Sequence, residues 1–229
     1  MARPLRIEYN GALYHITARG NERNPIYREE GDCQKFLDIL AELPQRSSVL
    51  IHGYVLMGNH YHLLIETPKG NITKVMHYLN ATYSGYFNKK YGRVGHLFQG
   101  RYKGLLIEKE RYLLSVSRYI HLNPVRAGIS RRPEEYKWSS YRAYGKGKKD
   151  KIITISPEYE GLSDSNIGRT KKYEEYVSER GKDSRRLGRY FKTGVCGSSS
   201  FTEKLRRNGL IPVWSHSGRP GKKCSAVEY

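Results

Sequence analysis

The order of β-forming and helix-forming segments constrains the fold of this chain more than any other feature of its sequence. Runs rich in β-branched and aromatic residues, each with the length of one strand, occupy residues 12–18, 49–56, 60–67 and part of 97–108. Apolar residues at helical spacing occupy residues 32–43 and 71–91 between them. The resulting order, β-α-β-β-α-β, is that of the split βαβ or ferredoxin-like arrangement. The sequence therefore predicts an α+β protein whose four-stranded antiparallel sheet carries its helices on one face.

A third helix is predicted after this unit, over residues 109–123, because Pro124 has no backbone N–H with which to continue it. An aromatic-rich stretch then closes a first domain, residues 1–144. Gly and Lys dominate residues 145–151, which predicts a flexible basic linker. Residues 152–229 are predicted to form a small, basic and mostly helical region. Either a DNA-binding appendage or a packing extension of the first domain fits that pattern.

The charge of the chain indicates its kind of partner. The formal net charge is +19, from 41 Lys and Arg against 22 Asp and Glu. A protein this basic usually meets a polyanion, of which nucleic acid is the first candidate and a membrane surface the second. The 20 tyrosines favour single strands, because bases stack on aromatic rings while phosphates follow basic side chains. No apolar run in the sequence approaches the roughly 18 residues of a membrane span, so we expect no membrane partner.

The cysteines indicate the compartment. Cys33, Cys196 and Cys224 are odd in number and lack Cys-x-x-Cys spacing, which argues against a disulfide framework or a cysteine zinc site. The first residues also lack the apolar run of a secretory signal. We therefore expect a cytoplasmic protein in a reducing compartment.

A His-x-His pair, His60 and His62, begins the third predicted strand. Side chains at i and i+2 of a strand point to the same face, with Cα atoms roughly 6.5 Å apart, so these two imidazoles can converge on one divalent ion. Imidazole suits several transition metals, and additional oxygen ligands shift the preference towards Mg²⁺ or Mn²⁺. Two ordinary histidines on a half-exposed sheet face would give the same pattern, so the pair by itself does not establish a metal site.

The third predicted helix carries Tyr119 and Asn123, which share one helix face because they are four residues apart. Asn123 precedes Pro124 at the predicted helix end, where its side-chain oxygen is a candidate third metal ligand. Tyr112 lies one heptad earlier on a similar face, but its i+4 partner is Val116, which cannot bind a metal. Tyr119 is therefore our candidate nucleophile.

A tyrosine beside a metal suits the cleavage and rejoining of a phosphodiester. The metal neutralises a non-bridging oxygen and stabilises the leaving 3′-oxygen as charge builds. The tyrosine forms a covalent aryl phosphate, which keeps the bond energy for rejoining. Free phenol has a pKa of about 10 and needs help from nearby positive charge. The residues therefore predict a metal-dependent enzyme that nicks and joins single-stranded DNA.

Four motifs, in this order along the chain, make the sequence similar to a known family. They are residues 57–64 (Met-Gly-Asn-His-Tyr-His-Leu-Leu), 95–103 (Gly-His-Leu-Phe-Gln-Gly-Arg-Tyr-Lys), 119–128 (Tyr-Ile-His-Leu-Asn-Pro-Val-Arg-Ala-Gly) and 138–141 (Trp-Ser-Ser-Tyr). Together they resemble the REP-associated tyrosine transposases, within the single-tyrosine transposases of the HUH endonuclease superfamily. The resemblance covers about residues 1–144.

The resemblance implies a ferredoxin-like domain that cleaves single-stranded DNA near imperfect palindromes able to fold into hairpins. The implied products are a 5′-phosphotyrosine and a free 3′-OH. By position, His60, His62 and Asn123 become the metal ligands and Tyr119 the nucleophile, with Mg²⁺ or Mn²⁺ as cofactor. Some relatives exchange the tyrosine helix between subunits, so a monomer and a homodimer both fit.

Three basic residues are candidates for contacts with DNA phosphates. Arg101 and Lys103 are expected to alternate onto one face of the fourth strand, and Arg126 follows the tyrosine helix. Two other functions stay open. A replication or conjugation nickase of the same superfamily would share the chemistry, and a DNA- or RNA-hairpin-binding protein would use the basic surface without catalysis. RNA-binding modules of this fold read bases on sheet aromatics, and the first strand carries only Tyr14.

Overall fold

The computed structural model describes residues 7–179 and 194–211. Its strands are β1 (Ala12–Arg19), β2 (Leu50–Met57), β3 (His60–Thr67), β4 (Lys103–Ile107) and β5 (Val195–Cys196). Its helices are α1 (Glu30–Ser47), α2 (Ile72–Lys90), α3 (Lys109–Arg126), α4 (Tyr141–Gly145), α5 (Pro157–Glu160), α6 (Asn166–Ser178) and α7 (Ser199–Arg207), with 3-10 helices at Asn21–Arg23 and Pro133–Glu135. Across these ranges, every helix is too short or too polar to cross a lipid bilayer.

The strands form one sheet in the order β2-β3-β1-β4-β5. The neighbours among β1 to β4 are antiparallel, which confirms the predicted α+β, ferredoxin-like sheet. A fifth strand that the sequence did not predict runs parallel to β4. The backbone N–H of Leu106 donates to the Gly194 carbonyl at 3.0 Å, and that of Glu108 to the Cys196 carbonyl at 2.8 Å. β5 thus covers part of the edge that β4 would otherwise leave unpaired.

Helices cover both faces of the sheet, because its central strands are apolar on both sides. On one face Leu63 and Ile65 of β3 pack with α1 and α2 in the largest core cluster. On the other face Leu64 packs in a second cluster with Val116 and Ile120 of α3. The prediction of helices on one face concerned the β-α-β-β-α-β unit and is confirmed for α1 and α2, while α3, which follows that unit, covers the opposite face. The apolar stripe of α3 needs its own partner, and the face that α1 and α2 leave uncovered provides it.

The region after α3 packs back onto the first domain. Residues 138–140 lie along β2, where the backbone N–H of Leu56 donates to the Trp138 carbonyl at 2.9 Å. Buried tyrosines from α4, α5 and α6 then form a third cluster against Leu114 and Leu122 of α3. The described part of residues 152–229 thus has the contacts of a packing extension. The domain boundaries at 144 and 151 stay a prediction, and Cys224 lies outside the described residues.

Candidate active site

Register in the sheet brings polar residues of β1, β3 and β4 together at one end of the face that α3 covers. Arg19 of β1 lies opposite His60, and Thr17 lies opposite His62. On its other side Thr17 lies opposite Lys103, the first residue of β4. Since alternate residues of a strand share a face, these five side chains belong to one surface. The sequence prediction that His60 and His62 share a face is confirmed.

The two histidines are held by hydrogen bonds through the same ring nitrogen. His60 Nδ1 lies 2.7 Å from Asn59 Oδ1, and His62 Nδ1 lies 2.9 Å from His15 Nε2. The two ring centroids of His60 and His62 are 5.1 Å apart. These bonds use Nδ1 in both rings and leave Nε2 outside them. A polar partner on one ring nitrogen orients the other towards an ion, as in metal sites generally.

Burial keeps both imidazoles neutral. Desolvation, with the Arg19 guanidinium adding to it, lowers the pKa of His60 to about 4. The pKa of His62 lies well below its ordinary value, because of desolvation first and then of the neighbouring His15 and His60. A neutral imidazole is the form that ligates a metal ion, so the pair is ready to bind one without first losing protons.

Tyr119 reaches the histidines from α3. Its ring centroid lies 5.9 Å from that of His62 and 5.7 Å from that of His15, edge to face in both cases. The Arg126 guanidinium lies 4.9 Å from the centre of the tyrosine ring. Burial raises the pKa of the Tyr119 phenol, and the charge of Arg126 opposes that rise. Tyr119 is thus a half-buried phenol beside two imidazoles and one cation.

Asn123 lies one helical turn after Tyr119 on the same helix. Its side-chain Nδ2 donates to the Tyr119 carbonyl at 2.9 Å and lies 3.4 Å from the Ile120 carbonyl. The prediction that α3 ends at residue 123 is wrong, because the helix continues through Pro124 to Arg126. Proline cannot donate to the carbonyl four residues back, here that of Ile120, and the Asn123 amide takes that place.

Two imidazoles alone leave most of the coordination sphere of a divalent ion unfilled, so a metal at His60 and His62 needs further ligands. In residues 7–179 and 194–211, no three His, Cys, Asp or Glu side chains are grouped so as to hold a metal. Glu66 also lies on the α3 face, but it binds His52 Nε2 at 2.9 Å and Lys109 Nζ at 2.7 Å. Asn123 as the third ligand beside His60 and His62 therefore stays a prediction.

The three predicted DNA contacts occupy different positions. Lys103 is exposed in the same row as His62, and Arg126 lies against Tyr119. Arg101 does not share a strand face with Lys103, because β4 begins only at Lys103. Arg101 instead lines a groove beside α2. Whether any of the three contacts DNA stays a prediction.

Sequence reasoning missed His15 and Arg19, although both lie on the first predicted strand. Alternation places the two on one face of β1, but only the register with β3 shows that they lie beside His62 and opposite His60. The available signal was the spacing of His15 and Arg19, which are an even number of residues apart on the first predicted strand.

Comparison with known proteins indicates the family and the fold of the chain. The family model "Transposase IS200 like" matches residues 8–123, which is more than half of the 229 residues. No curated protein matches the sequence. Among solved structures, the chain is similar to a REP-associated tyrosine transposase bound to a REP hairpin, with a TM-score of 0.54 and 16% identity over 68% of this chain and 93% of that chain.

A second solved structure, crystallised as a candidate transposase from Deinococcus radiodurans R1, is 18% identical over 50% of this chain and 94% of that chain. Its TM-score of 0.37 is too low to establish a shared fold. The family model confirms, by family, the resemblance inferred from the four sequence motifs. The REP-associated tyrosine transposase structure agrees with it by fold. The chain belongs to the IS200-like transposase family.

Proposed function

We propose that the protein is a metal-dependent endonuclease and joining enzyme for single-stranded DNA, acting near palindromic repeats that fold into hairpins. The observation that carries the proposal is the position of Tyr119, whose ring lies against His62 within a single chain. A nucleophile from a helix and two imidazoles from a strand meet at one end of the sheet. That is the geometry that attack on a bound phosphodiester needs.

The proposed reaction is a transfer of the phosphoryl group between two oxygens. The phenolic oxygen of Tyr119 bonds to phosphorus, while the bond to the 3′-oxygen breaks and that oxygen leaves as a 3′-hydroxyl. The product is a 5′-phosphotyrosine. Rejoining is the same exchange in reverse, with a 3′-hydroxyl as nucleophile and Tyr119 as leaving group, so no external energy source is required.

Each residue of the site has a role in this proposal. His60, His62 and Asn123 would hold Mg²⁺ or Mn²⁺, which would polarise a non-bridging phosphate oxygen when bound. Arg126 stabilises the phenolate of Tyr119, because its charge lies close to the ring. His15 fixes the ring of His62 through the hydrogen bond to Nδ1. Arg19 supplies positive charge opposite His60, where a phosphate would approach.

The substrate proposal rests on charge and on the fold. The net charge of +19 favours DNA, and the structure with the same fold is a transposase bound to a REP hairpin. We propose single-stranded or hairpin DNA with palindromic repeats as the partner, in the cytoplasm at the nucleoid. A monomer and a homodimer both fit this partner.

The test incubates the protein with hairpin oligonucleotides carrying single-stranded flanks, together with Mg²⁺ or Mn²⁺. We expect a protein–DNA adduct that survives SDS. Tyr119→Phe should abolish the adduct and leave binding intact, since it removes one oxygen from a half-buried ring. Tyr112→Phe, on the same helix, is the matched control and should retain the adduct. An adduct that persists in Tyr119→Phe would show that the nucleophile is another residue.

The same experiment separates the alternatives. Binding without an adduct, under either metal, would favour a hairpin-binding protein without catalysis. Cleavage without any preference for palindromic hairpins would favour a replication or conjugation nickase.

A further inference from the structure

A groove lies beside α2, and its lining does not include Tyr119, His60 or His62. It has a volume of about 780 Å³, within the range of small-molecule sites. One wall is the outward face of α2, and the other is the segment 95–102 together with Asn21. We call it the α2 groove. Residues 95–102 of the second sequence motif, 95–103, line this groove. In the proposed catalytic site only Lys103 of that motif has a role.

The lining of the α2 groove combines apolar walls with amide groups. Leu97 and Phe98 form part of the wall, and both are buried from the opposite side in the largest core cluster. The amides of Asn80 and Gln99 line the groove with them. A flat aromatic base with polar edges needs this combination, because its faces stack on apolar and ring surfaces while its edges exchange hydrogen bonds.

The amide of Asn80 is oriented by a buried tyrosine. Tyr61 is fully buried, and its hydroxyl donates to Asn80 Oδ1 at 2.5 Å. Burial raises the pKa of the Tyr61 phenol far above its ordinary value, so the hydroxyl stays protonated and remains the donor. The Asn80 oxygen is therefore engaged on the core side, and its NH₂ is the group that remains for a ligand in the groove. A fixed donor of this kind can distinguish one base edge from another.

The α2 groove is joined to the candidate active site through the backbone. The backbone N–H of Gln99 donates to the Arg19 carbonyl at 2.9 Å, and that of Asn21 donates to the Leu97 carbonyl at 2.8 Å. Arg19 itself lies opposite His60. The wall of the groove thus continues directly from the strand end at which the proposed metal ligands lie. A DNA strand leaving that site reaches the groove by passing the end of β1.

The charge of the α2 groove suits a nucleic acid. Arg101 is exposed and lines it, and none of the described lining residues is acidic. Thr73, a lining residue in the first turn of α2, donates its hydroxyl to the carboxylate of Glu8. Asn88 Nδ2 bonds the Gly95 carbonyl at 2.9 Å near the other end of α2. Phosphates are therefore favoured along the Arg101 side and disfavoured at the Thr73 end.

We propose that the α2 groove binds unpaired bases of single-stranded DNA immediately beside the cleaved phosphodiester, and so selects the cleavage site. This inference rests on the proposed function for its ligand class. The groove is then a second site, separate from the proposed metal ligands and nucleophile. It binds bases, whereas the catalytic end of the sheet binds the phosphate.

The test measures binding with base-free DNA, in Tyr119→Phe protein so that no strand is cut. One labelled hairpin carries flanks of randomised sequence, and a second carries flanks of abasic nucleotides with the same phosphates. We expect the abasic flanks to weaken binding roughly tenfold, since stacking of one base contributes on that order. Ala81→Trp, at an exposed position in the groove, should block it and reduce this difference to near unity. Thr82→Trp, exposed on α2 but outside the groove, should keep the full difference.

Equal binding of both hairpins by the Tyr119→Phe protein would overturn the proposal. So would an Ala81→Trp variant that keeps the base preference of Thr82→Trp. Both tryptophan variants lie on the helix surface, and equal thermal midpoints would confirm that each is folded. Because no step of this assay needs cleavage, failure of the adduct experiment would remove the proposed enzyme activity and leave the base preference still measurable.

Discussion

Histidines lie at both ends of the face of the sheet that α3 covers, a pair at one end and a single residue at the other, and they differ in what their ring nitrogens bind. At one end, His60 and His62 each use Nδ1 for a protein partner and leave Nε2 outside those bonds. At the other end, His52 uses both nitrogens, with Nδ1 2.9 Å from the Thr154 carbonyl and Nε2 2.9 Å from Glu66. Within the contacts of the described residues, His60 and His62 each keep one ring nitrogen for an ion or substrate, and His52 keeps none.

His52 belongs to a buried network with Glu66 and Lys109. Glu66 also receives Lys109 at 2.7 Å, from the first turn of α3. Hydrogen bonds from His52 and then Lys109 keep the pKa of Glu66 below its ordinary value, although desolvation opposes them. The network ties β2, β3 and α3 to the extension that carries Thr154. The comparison therefore separates a candidate catalytic end of the sheet from a structural end, within one face and one set of strands.

The largest expected effect on the rate of adduct formation comes from removing the imidazoles of His60 and His62. His60→Ala with His62→Ala should lower the rate of adduct formation by at least about 10²–10³-fold, because the charge that develops on phosphate would lose its metal. The thermal midpoint should change little. His52→Gln is the matched control, and it should lower the thermal midpoint while keeping the metal requirement. If His52→Gln lost the metal requirement instead, the division between the two ends would fail.

A smaller effect is expected at His15, which acts through His62. His15→Leu removes the partner of His62 Nδ1 and should raise the Mn²⁺ concentration for half-maximal cleavage about 10- to 100-fold, the usual cost of losing a residue that orients a ligand. His15→Gln, which can still hydrogen-bond, should recover part of that loss. A purely structural role would lower stability in both variants and leave the metal dependence unchanged.

The sequence predicted those features of the candidate site that follow from local spacing. Alternation on β3 placed His60 and His62 on one face, and the four-residue spacing placed Tyr119 and Asn123 on one helix face. Neither result depends on distant contacts, because the period of a strand or helix is a property of the backbone itself. The α+β class and the order of the first strands follow in the same way from segment length and pattern.

The missing parts depend on register and on tertiary contacts. His15 gains its role only from the pairing of β1 with β3, which the one-dimensional pattern does not contain. β5 has two residues, too few to show any period, and forms because the edge of β4 is free to pair. The sequence pattern predicts Arg101 on β4, but pairing with β1 starts that strand at Lys103. The side of the sheet that α3 takes depends on which face α1 and α2 have already covered.

The smallest effect on cleavage, and the sharpest test of the structural end, is expected from Glu66→Gln. The variant should lose about 1–3 kcal/mol of unfolding free energy at neutral pH, since it replaces a buried carboxylate that binds two cationic or polar partners. Because the pKa of Glu66 is lowered in the folded state from an ordinary value of 4.5, its contribution is present above that value and is lost as the pH falls towards the folded pKa. Urea denaturation of the wild type and the variant should therefore differ at pH 7 and converge in acid, while adduct formation at pH 7 stays the same. A variant with unchanged stability but impaired cleavage would place Glu66 in the active site and remove the distinction between the two ends of the sheet.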